Sequence, residues 1–456
     1  MIHRRDAMIR LGQLGAGALT LPGLLRAERP QPGLKPSGGR AKSCILIYLW
    51  GGPPQMDMWD PNPDAPSGIR SHFRPIATNT PGIHISEEMP LFAQHTDKTA
   101  IIRTLSHDSD IHEASVYRTL TGRTNRTLRV PTNDRKRSDA PTVGSVASYF
   151  LQNEGTPGTV TVPRPIGHEG ITYSGTHAGF LGPRHDPMEI KSAGEINGPP
   201  PLALSLPEGI DDHRVLARRG LLESLEQVDR RFQADPPATE FDDFREMAYG
   251  MLGSSQIKEA LDINTVDDRT RDNYGRNEWG ESILTARRLV EAGVRLVTIS
   301  WMYIQKSGNV ANVWDNHGPF EGRTGYEMLK AEYCLPSLDR GFHALMNDLS
   351  GSGQLDETLV AMFGEFGRTP KINKNAGRDH WGACQSAVLA GGGIQGGQVH
   401  GVSDAHSAYP KSDPVSPEDL LATMYHAMNI SPDSVLYDQL DRPHPAVDGR
   451  PLTSLF

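Results

Sequence analysis

The sequence predicts an α/β chain with a central, mostly parallel sheet and helices on both of its faces. Short unbroken apolar runs, Cys44–Trp50 foremost, have the signature of strands buried on both sides, which is the pattern of parallel sheets. These runs alternate with segments of helical periodicity, the order that builds a parallel sheet with helical crossovers. With 456 residues, 37% of them hydrophobic, the chain can bury a large core. No internal repeat or Pro/Ser-rich linker divides it, so one large domain with inserted loops is expected.

The N-terminal segment is set apart. Arg4-Arg5 precedes Leu11–Leu25, which is rich in Gly, Ala and Leu. At about 15 residues it falls short of the roughly 20 needed to cross a bilayer. This is the form of a twin-arginine signal segment, with Ala7 and Met8 standing where a Phe-Leu pair is usual. Residues 1–40 are read as signal segment and linker, residues 41–456 as the domain. The expected location is periplasmic or otherwise extracytoplasmic, reached by a route that carries folded proteins. No later segment reads as a transmembrane span.

Charge and cysteines exclude other classes. The net charge is −9. Without Arg4, Arg5, Arg10, Arg26 and Asp6 the mature balance is 42 basic to 54 acidic residues, a net −12. No nucleic-acid partner is expected of so acidic a chain. The three cysteines, Cys44, Cys334 and Cys384, have no metal-type spacing and an odd count, so they read as small buried apolar residues.

After Cys44–Trp50, strands are expected at Thr99–Leu105, Val294–Ile299, Thr358–Phe363 and Ser386–Ala390. The clearest helix is Glu278–Ala292, where Trp279, Ile283, Ala286 and Val290 share one face and Arg288 lies opposite. Gly293 supplies its stop. Gly341–Leu349 and Pro417–Met428 are further helices, the latter with Ser416 placed as a cap. Arg214–Phe232 and Glu240–Leu252 read as charged helices covering the outside.

In such a sheet, ligands bind beyond the carboxyl ends of the strands. Polar residues collect there. Asp57 and Asp60 follow the first strand, and His107, Asp108, Ser109, Asp110 and His112 the second. Asp315 and His317 follow the third, and Glu365, then Asp379-His380, the fourth. Carboxylates and imidazoles without thiolates suit a divalent cation held by N and O donors, whether Zn, Mn, Mg or Ca. Arg368, just past Glu365, is suited to clamp a phosphate or sulfate oxygen; a structural ion pair is its other reading. His177 and His185 lie on a Gly-rich insert and read as loop residues.

Several blocks together resemble a known family. They are Leu49-Trp-Gly-Gly-Pro-Pro-Gln-Met-Asp57-Met-Trp-Asp60, Tyr274-Gly-Arg-Asn, Ala286-Arg-Arg-Leu-Val-Glu-Ala-Gly293, Gly364-Glu-Phe-Gly-Arg-Thr-Pro370 and Gly377-Arg-Asp-His-Trp-Gly382. Over roughly Lys42 to Phe456 the chain resembles the bacterial family called domain of unknown function 1501, or DUF1501. That family is placed with the alkaline-phosphatase and sulfatase superfamily, which implies an alkaline-phosphatase-like fold without settling an activity. The resemblance implies metal ligands at Asp57, with Asp60 in reserve, and at Asp315, His317, Glu365 and His380. Leu120-Thr-Gly-Arg123 resembles the end of a sulfatase segment. Counting back from it puts His112 where the superfamily carries a Cys, Ser or Thr nucleophile. An imidazole can accept a phosphoryl group or bind a metal; it cannot become formylglycine. Phe366 stands where another ligand is usual.

The implied function is that of an exported metal-dependent hydrolase acting on a phosphate or sulfate ester of a small molecule or glycan. Its catalytic residues would be His112 and Arg368, with attack by a protein nucleophile or a metal-activated water. Ser109 and Ser115 are nearby hydroxyls. The competing reading is a non-catalytic, metal-containing binding protein for an anionic glycan or other extracytoplasmic ligand.

Overall fold

The structure, a computed structural model, describes residues 33–125, 135–151, 156–168, 171–190, 254–304, 310–311 and 313–456, with isolated positions between 214 and 221. Arg4-Arg5, Leu11–Leu25 and the helix expected over Glu240–Leu252 lie outside the described residues. Of Arg214–Phe232, the described positions Arg214, Ala217, Arg218, Gly220 and Leu221 are helical.

Eight strands form the central sheet. They are β1 (Ser43–Tyr48), β2 (Thr99–Leu105), β3 (Thr159–Val162), β4 (Met188–Glu189), β5 (Leu296–Ser300), β6 (Thr358–Phe363), β7 (Gln385–Ala390) and β8 (Gln398–His400). Their order across the sheet is β8-β2-β7-β6-β1-β5-β3-β4. All five expected strands are present, with ends shifted by up to two residues. Every pairing is parallel except those of β7, which runs antiparallel to β6 and β2. The reversal has a simple cause. The chain leaves β6 at the carboxyl rim, makes an excursion over residues 364–384 and re-enters the sheet at the same rim, with no helix to carry it back.

The alternation of strand side chains divides the core in two. Ile45, Ile47, Val297, Ile299, Val360 and Met362 face one side. There they meet α3 (Glu278–Glu291) and α4 (Leu335–Gly351) through Ile283, Leu284, Leu338, Phe342 and Leu345. Cys44, Leu46, Tyr48, Leu359, Ala361 and Phe363 face the other side. Their partners lie on α1 (His112–Thr121), α2 (Val143–Leu151) and α5 (Pro417–Ala427). Because both faces are covered, the strands are continuously apolar. The three cysteines are free and buried. Among the described residues no helix is long and apolar enough to cross a membrane.

Helix ends follow local chemistry. Asn277 caps α3 by accepting from the N–H of Gly280. Ser416 caps α5 in a reciprocal box with Asp419. One expectation is corrected: α4 starts at Leu335, with a proline in its first turn, rather than at Gly341. Gly341 is an interior contact point instead of a boundary. A Cβ there would come within 2.5 Å of Ile283 Cδ1, the movable end of a side chain on α3, so Gly341 lies at the contact between α4 and α3.

Two buried histidines, His95 and His185, are expected to make the fold acid-sensitive. Burial pushes His95 down to about 4, aided by the neighbouring His343, and burial pushes His185 to about 4 as well. Both are therefore neutral in the folded chain where the unfolded chain begins to protonate. The stability these two contribute should be complete above the ordinary 6.5 and fall as pH drops from there toward 4. Thermal melts across that window would detect this; a flat melting temperature would rule it out.

Candidate metal centre

The strands end level at the rim, because Tyr48 pairs with both Phe363 and Ser300. The segments that follow therefore emerge side by side. β1 continues into Gly51-Gly52, both at positive φ. A Cβ on Gly51 would lie 2.5 Å from Asp315 N, and one on Gly52 would lie 2.6 Å from the Phe366 ring. The two glycines thus let three rim segments touch. The excursion after β6 folds into a small ribbon in which Arg368 pairs with His380. α1 begins at His112 beside it.

Asp315 is the centre of the resulting cluster. His112 Nε2 lies 3.4 Å from Asp315 Oδ2. His380 Nε2 lies 3.0 Å from Oδ1. His317 Nε2, on a half-exposed ring, lies 3.2 Å from Oδ2. Ligand atoms of His112, Asp315 and His380 all lie within 4.8 Å of one another. Phe366 backs the rings, its centroid 4.9 Å from His112 and 4.6 Å from His380. Phe366 thus serves as a wall for two imidazoles.

Hydrogen bonding at the far side of each ring sets its tautomer. His112 Nδ1 donates to Glu365 Oε1 at 2.7 Å. His380 Nδ1 donates to the carbonyl of Asp110 at 2.9 Å. In the neutral rings the Nε2 lone pairs therefore point at Asp315. Orientation of metal-binding histidines by a carboxylate or a backbone carbonyl is the usual arrangement around such ions. The carboxylates around His112 also favour its protonated form. Burial pushes His112 down, but its bonds to Asp315 and Glu365, and their charges, outweigh this and raise it to about 9. Asp315, pushed up by burial, is held well below the usual carboxylate range by Arg368 and the three histidines. His317 is raised through its bond to Asp315. The donor set thus fits a cation of N/O preference.

The other expected site residues are placed differently. Asp57 is fully buried and does not reach the cluster. Its Oδ2 accepts from Arg378 Nε at 2.8 Å, and its Oδ1 from Arg378 Nη2 at 3.2 Å and the Tyr326 hydroxyl at 3.1 Å. Its carboxylate is therefore half of an ion pair, contrary to the expected ligand. Glu365 orients His112 from behind, and both its oxygens also accept from the N–H of Gly51, at 3.0 and 3.1 Å. Arg368 does not present itself to a substrate. It is fully buried and donates to the carbonyls of Gly51, Gly52, Trp314 and Arg378 and to Asp315 Oδ1 at 2.5 Å. With its donors committed inside the protein, it holds Asp315 in place instead of clamping an anion. Gln55 fixes Arg368 in turn, bonding its backbone N–H and carbonyl at 2.9 Å each.

His107 donates to the carbonyl of Glu365 at 2.6 Å and is pushed down by burial. Ser109 Oγ accepts from Ile111 N, and Ser115 Oγ donates to the carbonyl of Ser109, so both hydroxyls are engaged locally. His177 donates to Lys136 O and His185 bonds Ser148, neither at the cluster. Sequence reasoning missed Arg378, Tyr326, the Phe366 wall and the Asp110 carbonyl. Arg378 was within reach, since it immediately precedes Asp379-His380 in a quoted block.

The family model for a protein of unknown function, DUF1501, matches residues 41–456. The chain belongs to the DUF1501 family. No curated protein matches it. This DUF1501 chain is similar to several solved structures. The PsFucS1 sulfatase from Pseudoalteromonas sp. has 12% identity and a TM-score of 0.36, with 90% of this chain and 70% of that one covered. The phosphonate monoester hydrolase SpPMH from Silicibacter pomeroyi has 11% identity and a TM-score of 0.38, covering 91% and 76%. The alkaline phosphatase from the Antarctic bacterium TAB5 has 9% identity and a TM-score of 0.35, covering 86% and 99%.

Proposed function

We propose that this chain is an exported, metal-dependent hydrolase of a phosphate or sulfate ester. The observation that supports this is the pair of imidazoles whose Nδ1–H groups are committed to Glu365 and Asp110, leaving both Nε2 atoms turned toward Asp315. His112, Asp315 and His380 would hold a divalent ion, which supplies Lewis-acid polarisation of an ester oxygen when bound. Glu365 and the Asp110 carbonyl keep the two rings aimed. Arg368 keeps the Asp315 carboxylate ionised and fixed. His317, half-exposed, is the group of the cluster most open to an incoming ester. With Ser109 and Ser115 engaged elsewhere, water is the attacking group. The test is elemental analysis of purified protein, followed by assays with chromogenic aryl phosphate, phosphodiester and sulfate esters. Protein that arrives without metal and cannot be loaded would overturn this reading.

His112 separates two mechanisms. As a ligand, His112→Ala should lower metal affinity by about tenfold or more, and excess metal should partly restore turnover. As a nucleophile, the same change would abolish turnover and spare the metal. We expect the first outcome; a trapped phosphohistidine at position 112 would refute it.

Export rests on Arg4-Arg5 ahead of Leu11–Leu25. Changing both arginines to lysine should leave full-length protein in the cytoplasm. Normal processing and export of that variant would count against the twin-arginine route.

A second reading, a metal-containing binding protein for an anionic extracytoplasmic ligand such as a glycan, is favoured by one observation: Arg368 has no donor turned outward. Tight metal binding with no turnover of any ester would decide for it.

A further inference from the structure

We infer that the rim takes a single divalent cation, because arginines already neutralise the carboxylates that follow β1. This rests on the metal-centre reading above and goes beyond it by fixing the number of ions and the role of Arg378.

The carboxylates after β1 are closed to metal. Both oxygens of Asp57 are occupied by Arg378 and Tyr326. Arg378 is itself almost wholly buried and anchored by the carbonyls of Ile69, Thr369 and Pro370. Its guanidinium is thus held against Asp57 by the surrounding backbone, and a cation could reach Asp57 only by displacing it. Asp60 is closed in the same way. Arg103 Nε lies 3.3 Å from its Oδ1, and the Ser403 hydroxyl donates to its Oδ2 at 2.5 Å.

Counting charge leads to the same number. Among the cluster residues and the Asp57 pair, Asp57, Asp315 and Glu365 stand against Arg368 and Arg378. With each aspartate paired to its arginine, the surplus is the single negative charge of Glu365, which His112 Nδ1 bonds. One divalent ion there leaves a single positive charge; two would leave three. Uncompensated charge out of water is strongly unfavourable. Two arginines built into the fold therefore serve as permanent counter-ions, and among the described residues the space between His112, Asp315 and His380 is where an exchangeable one fits.

The experiment counts ions. Full-length mature protein is stripped with a chelator, dialysed against Zn²⁺ or Mn²⁺ alone, and quantified by elemental analysis and calorimetric titration. One ion per chain is expected. In the double variant Asp57→Asn with Arg378→Gln, neutral amides replace the ion pair. It should still bind one ion, with affinity within about twofold of wild type, since the sites share no ligand. Two ions in the wild type, or loss of an ion in the double variant, would overturn the inference and leave the metal centre standing. No ion in the wild type would overturn the metal centre itself. The wild-type count decides on its own if the double variant fails to fold.

Discussion

Asp315→Ala is expected to abolish metal binding and to destabilise the fold together. Asp315 is the shared partner of His112, His317 and His380, and the carboxylate partner of the fully buried Arg368. Its removal deletes one ligand and releases the other two. It also leaves a guanidinium charged, buried and without a carboxylate, a defect that costs about 3–5 kcal/mol. For a chain of this size that is a fall in melting temperature of roughly 3–6 °C. Asp315→Asn still accepts from Arg368, so it should lose the metal with a smaller loss of stability. Metal content and melting temperature both near wild type in Asp315→Ala would show that the centre is misplaced.

Asp57→Ala should behave in the opposite way. Arg378 would lose its carboxylate while remaining enclosed, again at about 3–5 kcal/mol, yet the metal should remain. The sequence alone suggested the reverse, a ligand whose loss empties the site. Melting curves and elemental analysis on one preparation separate the two. A folded Asp57→Ala protein that has lost its ion would restore Asp57 as a ligand.

How much of this was legible beforehand depends on the type of signal. β1 and β6 could be placed because strands buried on both faces leave continuous apolar runs in the sequence. The direction of β7 could not, since an apolar run reads the same either way. Its reversal follows from the excursion over residues 364–384, which starts and ends at one rim. Gly341 misled for a related reason. A glycine marks a helix end or a close helix contact equally well, and the choice was made by Ile283 on another helix.

For the site, the sequence by itself determined which residues stand at the rim. His112, Asp315, His317, Glu365 and His380 each follow a strand, and strand ends are local features. That Asp57 meets an arginine and no imidazole, while Asp315 meets an arginine and three imidazoles, was decided only by the tertiary structure. Asp57 and Arg378 are 321 residues apart and close into a pair only when β1 and the excursion after β6 pack together. An aspartate in a loop looks the same in sequence whether its partner is a guanidinium or a metal ion. The two cations differ in what they do there: the arginine stays with the fold as a fixed charge, whereas the ion can leave, and that difference lies in contacts that no local pattern encodes.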